Sequence, residues 1–400
     1  MSSAGATAPL RILYSFPHTL GAPGIGTTAL NQISGLRAAG ADVTVVCTAV
    51  DSAVGAFAAV RTLTMRGHRV PHRVLGSADA AFRYHDRRAR AMLAAGGYDV
   101  VHTWPLGGLS TLRAARAQGV LGTRESPNSH TATAYAVAGA EADRLGLTLG
   151  RGASHRADPR RLARELDEYA AAGLILVPSD HVRQSFLAAG VSAEKLGRHQ
   201  YGFDPDRFTA AERVDTDNRF TAVFLGLAEP RKGLHYALQA WHSSGAAATG
   251  TLLIAGGFVP GYREALRPLL AHPSVRVLGF VSDTASLLRS ADVLLLPSVE
   301  EGSALVTYEA QACGCVPLVS TAVGALVTNG VEGLLHRAGD VPALADQIRR
   351  VATDVVLRAD LRRNAIAGSA TKTWASAGKR MLAVLEAGRA GQVSQGAGTR

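Results

Sequence analysis

Two glutamates, Glu301 and Glu309, have a spacing that suits a ligand with hydroxyl groups on both sides of a phosphate. They lie in the stretch Leu294 to Ser320, which reads LLLPSVEEGSALVTYEAQACGCVPLVS. A helix that begins between them would leave Glu301 in the loop and place Glu309 about 9 Å beyond Ser303 along the helix axis. Carboxylates bind phosphate poorly but accept hydrogen bonds from hydroxyl groups. The pair therefore predicts a ligand in which sugars flank a diphosphate.

The elements that must position these glutamates are a strand, a loop, a helix and a second strand. The apolar run 294–296 predicts a strand buried on both faces of a parallel sheet. Ser303 is a suitable N-cap for a helix that ends near Gly314. A helix N-terminus at the carboxyl end of a parallel strand presents unpaired N–H groups. We therefore expect the amides of Ala304 and Leu305 to hold a phosphate.

This stretch resembles the EX7E signature of the retaining GT-B glycosyltransferases of family 4, whose usual form is PSxxEGxGLxxxEAxAxGxPVV. The matching residues are Pro297, Ser298, Glu301, Gly302, Leu305, Glu309, Ala310, Ala312, Gly314, Pro317 and Val319. The resemblance implies that Glu301 contacts the transferred sugar and Glu309 binds the nucleotide ribose. It also assigns the intervening Gly302, Ser303, Ala304 and Leu305 to the donor site, with Ala304 standing where glycine is usual.

A second donor segment is predicted in FTAVFLGLAEPRKGLHYALQAW, which begins at Phe220 and reads as strand, loop and helix. Arg231 and Lys232 precede Gly233 and could neutralise a diphosphate at the helix N-terminus. The segment is similar to the family pattern GRLxxxKG, in which Lys232 falls on the diphosphate-binding lysine. Leu227 stands at the arginine position. Either Arg231 replaces that charge, or the site uses one cation fewer.

Glycine-containing loops complete the predicted donor site. Gly24 and Gly26 follow the first predicted strand and precede a helix, although such a GxG alone is more often a tight turn. The resemblance implies that one of these two glycines contacts the donor diphosphate or the acceptor. It also implies that the loop of Gly279, Phe280 and Val281 borders the nucleotide base.

The predicted acceptor side lies after the strand 119–123, where a loop contains Arg124, Glu125, Asn128 and His130. The carboxyl end of a strand in an α/β protein is where such side chains perform chemistry. The family has a histidine here that helps to position donor and acceptor, and His130 is the nearest candidate. The alternative is a capping or surface role for His130.

Further along the chain, two pairs have the i,i+4 spacing of a helix, Arg161–Glu165 and Arg164–Glu168. We interpret them as a solvated helix face rather than as acceptor contacts.

Length predicts two domains, because 400 residues exceed what one hydrophobic core usually supports. We expect an N-terminal Rossmann-like acceptor domain over 1–205 and a C-terminal Rossmann-like donor domain over 206–375. A helix over 376–390 would cross back to the first domain, and 391–400 would form a disordered tail.

Composition and short sequence patterns limit which binding partners and which cellular location we expect. The net charge of +10 suits an anionic substrate, and no recognition-helix or zinc-finger motif points to nucleic acid. Three cysteines are too few for a disulfide framework, and without a Cys/His cluster we expect no metal site. No apolar run approaches the length of a membrane span, and no secretory signal opens the sequence. We expect a cytoplasmic protein without integral membrane association.

The resemblance implies an α/β protein of GT-B fold, with two Rossmann-like domains facing each other across a cleft, that transfers sugar with retention. The predicted catalytic residues are Glu301, His130 and Lys232. The expected partners are a nucleotide-sugar donor, UDP- or GDP-linked, and a small-molecule acceptor, without a metal or other cofactor. Two alternatives remain open at this point: a nucleotide-sugar epimerase of the same fold, and a noncatalytic nucleotide-sugar-binding protein.

Overall fold

A computed structural model describes residues 8–65, 68–69, 74, 76–150, 153, 155–211 and 219–397 of the chain. These residues form two Rossmann-like domains, each a parallel sheet between helices, as the sequence predicts. Among the described helices, none combines the length and the apolar character needed to cross a bilayer.

The N-terminal domain alternates strands and helices along the chain. Its strands are β1 (Arg11–Leu20), β2 (Asp42–Val50), β3 (Val60–Arg61), β4 (Thr64–Met65), β5 (His68–Arg69), β6 (Val100–Thr103), β7 (Leu121–Glu125), β8 (Leu174–Val177) and β9 (Leu196–Arg198). Its helices are α1 (Ile25–Ala38), α2 (Ala78–Ala94), α3 (Leu109–Ala117), α4 (Thr131–Arg144), α5 (Pro159–Ala171) and α6 (Asp180–Ala188). The sheet order is β3-β2-β1-β6-β7-β8-β9, and β4 and β5 form a separate hairpin.

The C-terminal domain repeats this organisation. Its strands are β10 (Thr221–Leu225), β11 (Thr251–Ala255), β12 (Val275–Gly279), β13 (Val293–Leu296), β14 (Val316–Ser320) and β15 (Leu334–His336). Its helices are α7 (Leu234–Ser243), α8 (Tyr262–Ala265), α9 (Arg267–Leu270), α10 (Thr284–Ser290), α11 (Leu305–Cys313), α12 (Val341–Thr353), α13 (Val355–Ser369) and α14 (Trp374–Ala397). The sheet order is β12-β11-β10-β13-β14-β15.

Both sheets are parallel throughout, and their central strands are apolar on both faces. Strand β8 (LILV) and strand β13 (VLLL) are buried along their whole length, as expected when helices cover both sides of a sheet. The strand order reverses between β1 and β6 and again between β10 and β13. In doubly wound sheets, ligands bind beyond the carboxyl ends of the strands at these reversals. Each domain therefore has one such crevice.

The chain crosses between the domains at two adjoining points. Phe203 pairs with Thr373 in a parallel bridge. A Cβ on Gly202 would lie 2.6 Å from the carbonyl oxygen of Thr373, so glycine is required where the two crossing segments touch. The predicted boundaries at residues 205 and 375 fall beside these crossings.

The second crossing leads into α14, which packs on α1 of the N-terminal domain. Gly35 and Gly378 let the two helix backbones approach closely, since a Cβ on Gly35 would lie 3.1 Å from the Cα of Gly378. Helix α14 extends to Ala397, beyond the start of the stretch that the sequence predicts as a tail. Residues 398–400 of that stretch lie outside the described part.

Candidate active site

The loops after β10 and β13 are neighbours, because these two strands are adjacent in the C-terminal sheet. Gly233 adopts a φ of +71°, and a Cβ there would lie 2.2 Å from the carbonyl oxygen of Pro297. Only glycine permits this approach. Arg231 and Lys232 are thereby held against the loop that carries Glu301.

Glu301 is bound by both predicted cations. Lys232 Nζ lies 2.9 Å from Glu301 Oε2, and Arg231 Nη1 lies 3.1 Å from the same oxygen. Burial alone would raise the pKa of Glu301, but Lys232 and Arg231 outweigh it and hold the pKa below its usual value. Glu301 is therefore an ionised carboxylate in the interior of the site.

Arg231 contacts three acidic residues rather than one. Besides Glu301, its Nη2 lies 2.7 Å from Glu229 Oε1, and its Nη1 lies 3.5 Å from Glu300 Oε2 and donates to the backbone oxygen of Glu300 at 2.9 Å. Burial would lower the pKa of Arg231, but these carboxylates raise it above its ordinary value. Leu227, at the position where the family has arginine, is 49% exposed.

Glu300 joins the two domains and was missed by the sequence analysis. Its Oε1 accepts a hydrogen bond from Ser129 N–H at 3.2 Å, and His155 Nε2 lies 3.0 Å from its Oε2. Burial would raise its pKa, but His155 and Arg231 lower it to about 2. The only sequence signal was the doubled glutamate, of which the family signature uses the second.

The two domains also touch at Gly302. A Cβ on Gly302 would lie 1.6 Å from the carbonyl oxygen of Pro127, and Ser179 Oγ donates to the carbonyl oxygen of Gly302 at 2.5 Å. Pro127 and Ser179 both belong to the N-terminal domain, so Gly302 lies on the seam between the domains. Its lack of a side chain is what lets the seam close here.

Glu309 is separate from the Glu301 cluster. It lies half-buried on α11, and within the described part of the chain its carboxyl group has no hydrogen-bond or ion-pair partner. Burial raises its pKa to about 7, against a smaller opposing effect of Arg207. An unpaired carboxyl in this setting is available to a ligand.

The beginning of α11 differs from the prediction. The N-cap residue is Ala304 rather than Ser303, whose hydroxyl instead contacts the hydroxyl of Tyr308. The amide of Ala304 donates to the carbonyl oxygen of Val323 at 3.3 Å, a bond it would have to give up to bind phosphate, so its assignment as a phosphate donor stays a prediction. Among the described residues, the amide of Leu305 has no acceptor and keeps that predicted role.

The predicted glycine loops lie at the carboxyl ends of their strands. Gly24 is exposed and has a φ of +84°, whereas Gly26 is buried, and a Cβ on it would lie 2.6 Å from the carbonyl oxygen of Thr19. Gly24 is therefore the more accessible of the two to a ligand. Gly279 has a φ of +71°, and the following Phe280, before Val281, is 88% exposed. Their contacts with a donor stay predictions.

A cavity of about 390 Å³ lies in the N-terminal domain beside Glu300. Ile25, just after Gly24, reaches its wall, together with Ser129 and His155, the two residues that contact Glu300. The cavity therefore lies between the glycine loop and the seam. This position is where the sequence predicts the acceptor.

Buried charged residues form part of the wall of this cavity. Arg124 belongs to β7 rather than to the loop after it, and it is fully buried. It lies 2.7 Å from Glu165 and 3.3 Å from Glu168. The interpretation of Glu165 and Glu168 as a solvated helix face is wrong, because α5 turns both carboxylates inward to meet this arginine.

Neighbouring residues of the predicted acceptor loop are also buried. Glu125 is fully buried at the end of β7, where it accepts hydrogen bonds from His199 and Tyr201. The ring of His130 packs against Tyr169 and Phe186, with centroid distances of 5.2 Å to each. Burial lowers the pKa of His130, which favours the neutral ring. His130 is not among the described residues that line the cavity, and its catalytic role stays a prediction.

The described residues contain no group of three or more His, Cys, Asp and Glu side chains arranged to hold a metal ion.

Comparison with known families gives two matches. The profile described as Glycosyltransferase Family 4 matches residues 23–207, and the profile described as Glycosyl transferases group 1 matches residues 219–354.

Three similar proteins share the name D-inositol 3-phosphate glycosyltransferase. The D-inositol 3-phosphate glycosyltransferase of Salinispora arenicola is 28% identical over 332 residues, which are 72% of this chain and 68% of that protein. That of Mycobacterium tuberculosis is 31% identical over 287 residues, 65% of this chain and 55% of the relative. That of Stackebrandtia nassauensis is 30% identical over 199 residues, 43% of this chain and 44% of the relative. The aligned stretch thus spans less than two thirds of the last two proteins.

Solved structures show the same fold. Sucrose-phosphate synthase from Thermosynechococcus elongatus superposes with a TM-score of 0.70 at 20% identity, covering 96% of this chain and 100% of that one. HepE from Anabaena, in complex with UDP-glucose, gives a TM-score of 0.63 at 19% identity, covering 94% and 98%. These likenesses confirm the predicted GT-B fold. Because the two profiles lie end to end along the two domains, the chain belongs to the family 4, or group 1, glycosyltransferases.

Proposed function

We propose that this protein transfers a sugar, with retention of anomeric configuration, from a nucleotide-sugar to an acceptor hydroxyl. The observation that carries the proposal is the ionised Glu301, held by Lys232 and Arg231 on the seam between the domains. The donor binds the C-terminal domain, and the acceptor occupies the N-terminal cavity across the seam. Structures of HepE with UDP and with UDP-glucose support a UDP-linked donor, and GDP is the alternative.

Charge determines how the donor diphosphate is held. Arg231 already faces Glu229, Glu300 and Glu301, so its charge is largely compensated. Among the described residues, Lys232 pairs with Glu301 alone. When a diphosphate enters, Lys232 exchanges the carboxylate for phosphate oxygens, and Glu301 becomes free to accept a hydrogen bond from the sugar. The amide of Leu305 adds a donor at the positive end of α11.

The reaction follows from this placement. The bond between the anomeric carbon and the diphosphate oxygen breaks while a bond to the acceptor oxygen forms on the same face. The acceptor proton passes to the departing phosphate oxygen. Lys232 stabilises the negative charge that grows on the leaving group, and such preorganised electrostatics usually supply the largest part of a rate enhancement. The chemistry therefore requires no metal ion, and turnover should persist in EDTA.

The test is incubation with UDP-, GDP-, ADP- and dTDP-sugars, with and without acceptor, read by nucleotide release and by NMR of the product. Acceptor-dependent release with an α-linked product from an α-linked donor supports the proposal. Acceptor-free isomerisation would indicate an epimerase, and tight binding without turnover would indicate a binding protein; either outcome refutes it. Glu309→Ala should weaken nucleotide binding, because Glu309 is proposed to bind the ribose.

A further inference from the structure

The N-terminal cavity also indicates the chemical class of the acceptor, an inference that rests on the proposed function. The cavity lies against the seam, since Ser129 and His155 both line it and both contact Glu300. A molecule in the cavity therefore lies beside the loop that carries Glu301. Its volume of about 390 Å³ is enough for one or two rings.

The positive charges along the cavity wall are already compensated. Arg124 lies between Glu165 and Glu168 at 2.7 and 3.3 Å, and Arg161 Nε donates to Glu165 at 2.8 Å. His155 faces the ionised Glu300 at 3.0 Å. Each arginine among the described lining residues is thus matched by a carboxylate. A phosphate placed here would have to compete with both Glu165 and Glu168 for the fully buried Arg124, which is unfavourable in a desolvated site.

Unlike these charged groups, two hydroxyl groups of residues on the same wall have no partner. Ser129 and Tyr135 line the cavity, and their hydroxyl oxygens are buried without a hydrogen-bond partner among the described residues. Buried hydroxyl groups without partners are uncommon, because each costs free energy unless a ligand or water completes it. A hydroxyl group can both donate and accept, so this pair suits the uncharged hydroxyl groups of a ligand.

Much of the remaining wall is apolar and partly aromatic, beside the polar Ser126, Asn128 and Thr131. Phe82, Tyr169, Ile25 and Leu106 contribute to it. The Tyr169 ring is held in place by the guanidinium of Arg124, whose Cζ lies 4.2 Å from the ring centre. Such flat apolar surfaces bind the faces of rings.

We propose that the acceptor is an uncharged ring compound that carries hydroxyl groups, such as a hydroxylated aglycone or its glycoside, and not a phosphorylated polyol. One of its hydroxyl oxygens forms the new bond to the anomeric carbon, and the proton leaves with the nucleoside diphosphate. This distinguishes the chain from its relatives, which are named for D-inositol 3-phosphate.

The experiment compares two acceptors, 4-nitrophenyl β-D-glucoside as an uncharged ring compound and D-inositol 3-phosphate. With a saturating donor, kcat/KM is measured from nucleotide release, and the product mass is verified. We expect the uncharged compound to exceed D-inositol 3-phosphate by at least about 100-fold in kcat/KM. A preference for D-inositol 3-phosphate, or use of neither compound by an enzyme that hydrolyses the donor, would overturn the inference. Donor binding and slow donor hydrolysis, measured without acceptor, report on the proposed function separately.

Two variants test whether the acceptor binds in this cavity. Tyr135→Phe and Ser129→Ala each remove one of the two unpaired hydroxyl groups, and each should raise the KM for the uncharged acceptor about tenfold. The KM for the donor should stay unchanged. Tyr84→Phe, which changes an exposed tyrosine of α2, is the matched control. Unchanged acceptor KM values in both variants would show that the acceptor binds elsewhere and refute the assignment.

Discussion

Replacing Glu309 by glutamine should stabilise this protein at neutral and alkaline pH while weakening nucleotide binding. Folding raises the pKa of Glu309 from 4.5 to about 7, because the half-buried carboxyl is desolvated and no cation of the described residues contacts it. At about 1.4 kcal/mol for each pKa unit, keeping this group ionised costs the folded protein about 3 kcal/mol, less what solvent at its exposed edge screens. Glutamine has nearly the same shape and no charge, so it removes this cost.

The pH dependence of the free energy of unfolding follows from the direction in which folding shifts the pKa of Glu309. Below about pH 4.5 the carboxyl is protonated in both the folded and the unfolded chain, so it costs nothing. Between about pH 4.5 and 7 the unfolded chain ionises first, and the free energy of unfolding falls as the pH rises. Above about pH 7 both states are ionised and the full cost remains.

The measurement is urea denaturation of wild type and Glu309→Gln at pH 4.5 and pH 8.0. The two proteins should have similar free energies of unfolding at pH 4.5, and the variant should be about 2–3 kcal/mol more stable at pH 8.0. Glu264→Gln, which changes an exposed glutamate of the same domain, is the control and should match wild type at both pH values. If the free energies of unfolding of wild type and Glu309→Gln differ by the same amount at both pH values, burial of an ionised Glu309 does not cost stability and the reasoning is wrong.

Ligand binding tests the role of the same carboxyl. If Glu309 accepts hydrogen bonds from ribose hydroxyl groups, only its ionised form binds well. With a pKa of about 7, UDP-glucose affinity should be about tenfold weaker at pH 6 than at pH 8, and Glu309→Gln should bind weakly at both. UDP-glucose is preferable to UDP because its diphosphate does not titrate in this range. Pronounced pH dependence that persists in Glu309→Gln would assign the effect to another group.

Three further substitutions test the seam between the domains. Glu301→Ala should leave nucleoside diphosphate binding within about threefold by calorimetry but lower kcat for transfer about 100-fold, and the reverse pattern would contradict the assigned roles. Lys232→Met keeps the length of the side chain without its charge, and should weaken UDP binding about tenfold or more. Gly302→Ala would place a Cβ 1.6 Å from the carbonyl oxygen of Pro127, so it should hold the domains apart. We expect lower turnover and a larger radius of gyration in X-ray scattering. The control is Gly139→Ala, which has open space around its Cβ and should change neither turnover nor the radius of gyration.

The donor half of the site could be predicted because its information is local. Glu301, Gly302 and Lys232 occur in strand–loop–helix segments, and the loops of adjacent parallel strands must meet at the same edge of a sheet. The sequence pattern therefore specifies both the residues and their approximate neighbourhood. What it misjudged was fine geometry, such as the N-cap at Ala304, because the acceptor of that amide, Val323, comes from a more distant segment.

The acceptor half could not be predicted because its contacts join distant parts of the chain. Glu165 and Glu168 have a helical spacing that also fits a solvated surface, and only the packing of α5 beside β7 brings them to Arg124. One signal was available: an arginine within a buried strand requires carboxylate partners. Glu300 had no such signal, since its partners Ser129 and His155 belong to the other domain.

Under the proposed function, the leucine at position 227 means that a cation of the donor site has moved to another position. Arg231 brings a cation beside Glu301, but the same guanidinium also meets Glu229 and Glu300. Its contribution is therefore to hold three carboxylates together at the seam, which a lysine with a single point of charge could not do. The proposed function leaves neutralisation of the diphosphate to Lys232 and the amide of Leu305. In the proposed reaction Lys232 must first leave Glu301, so donor binding and release of this carboxylate are one event. This coupling would suppress contact between Glu301 and a sugar that lacks its diphosphate.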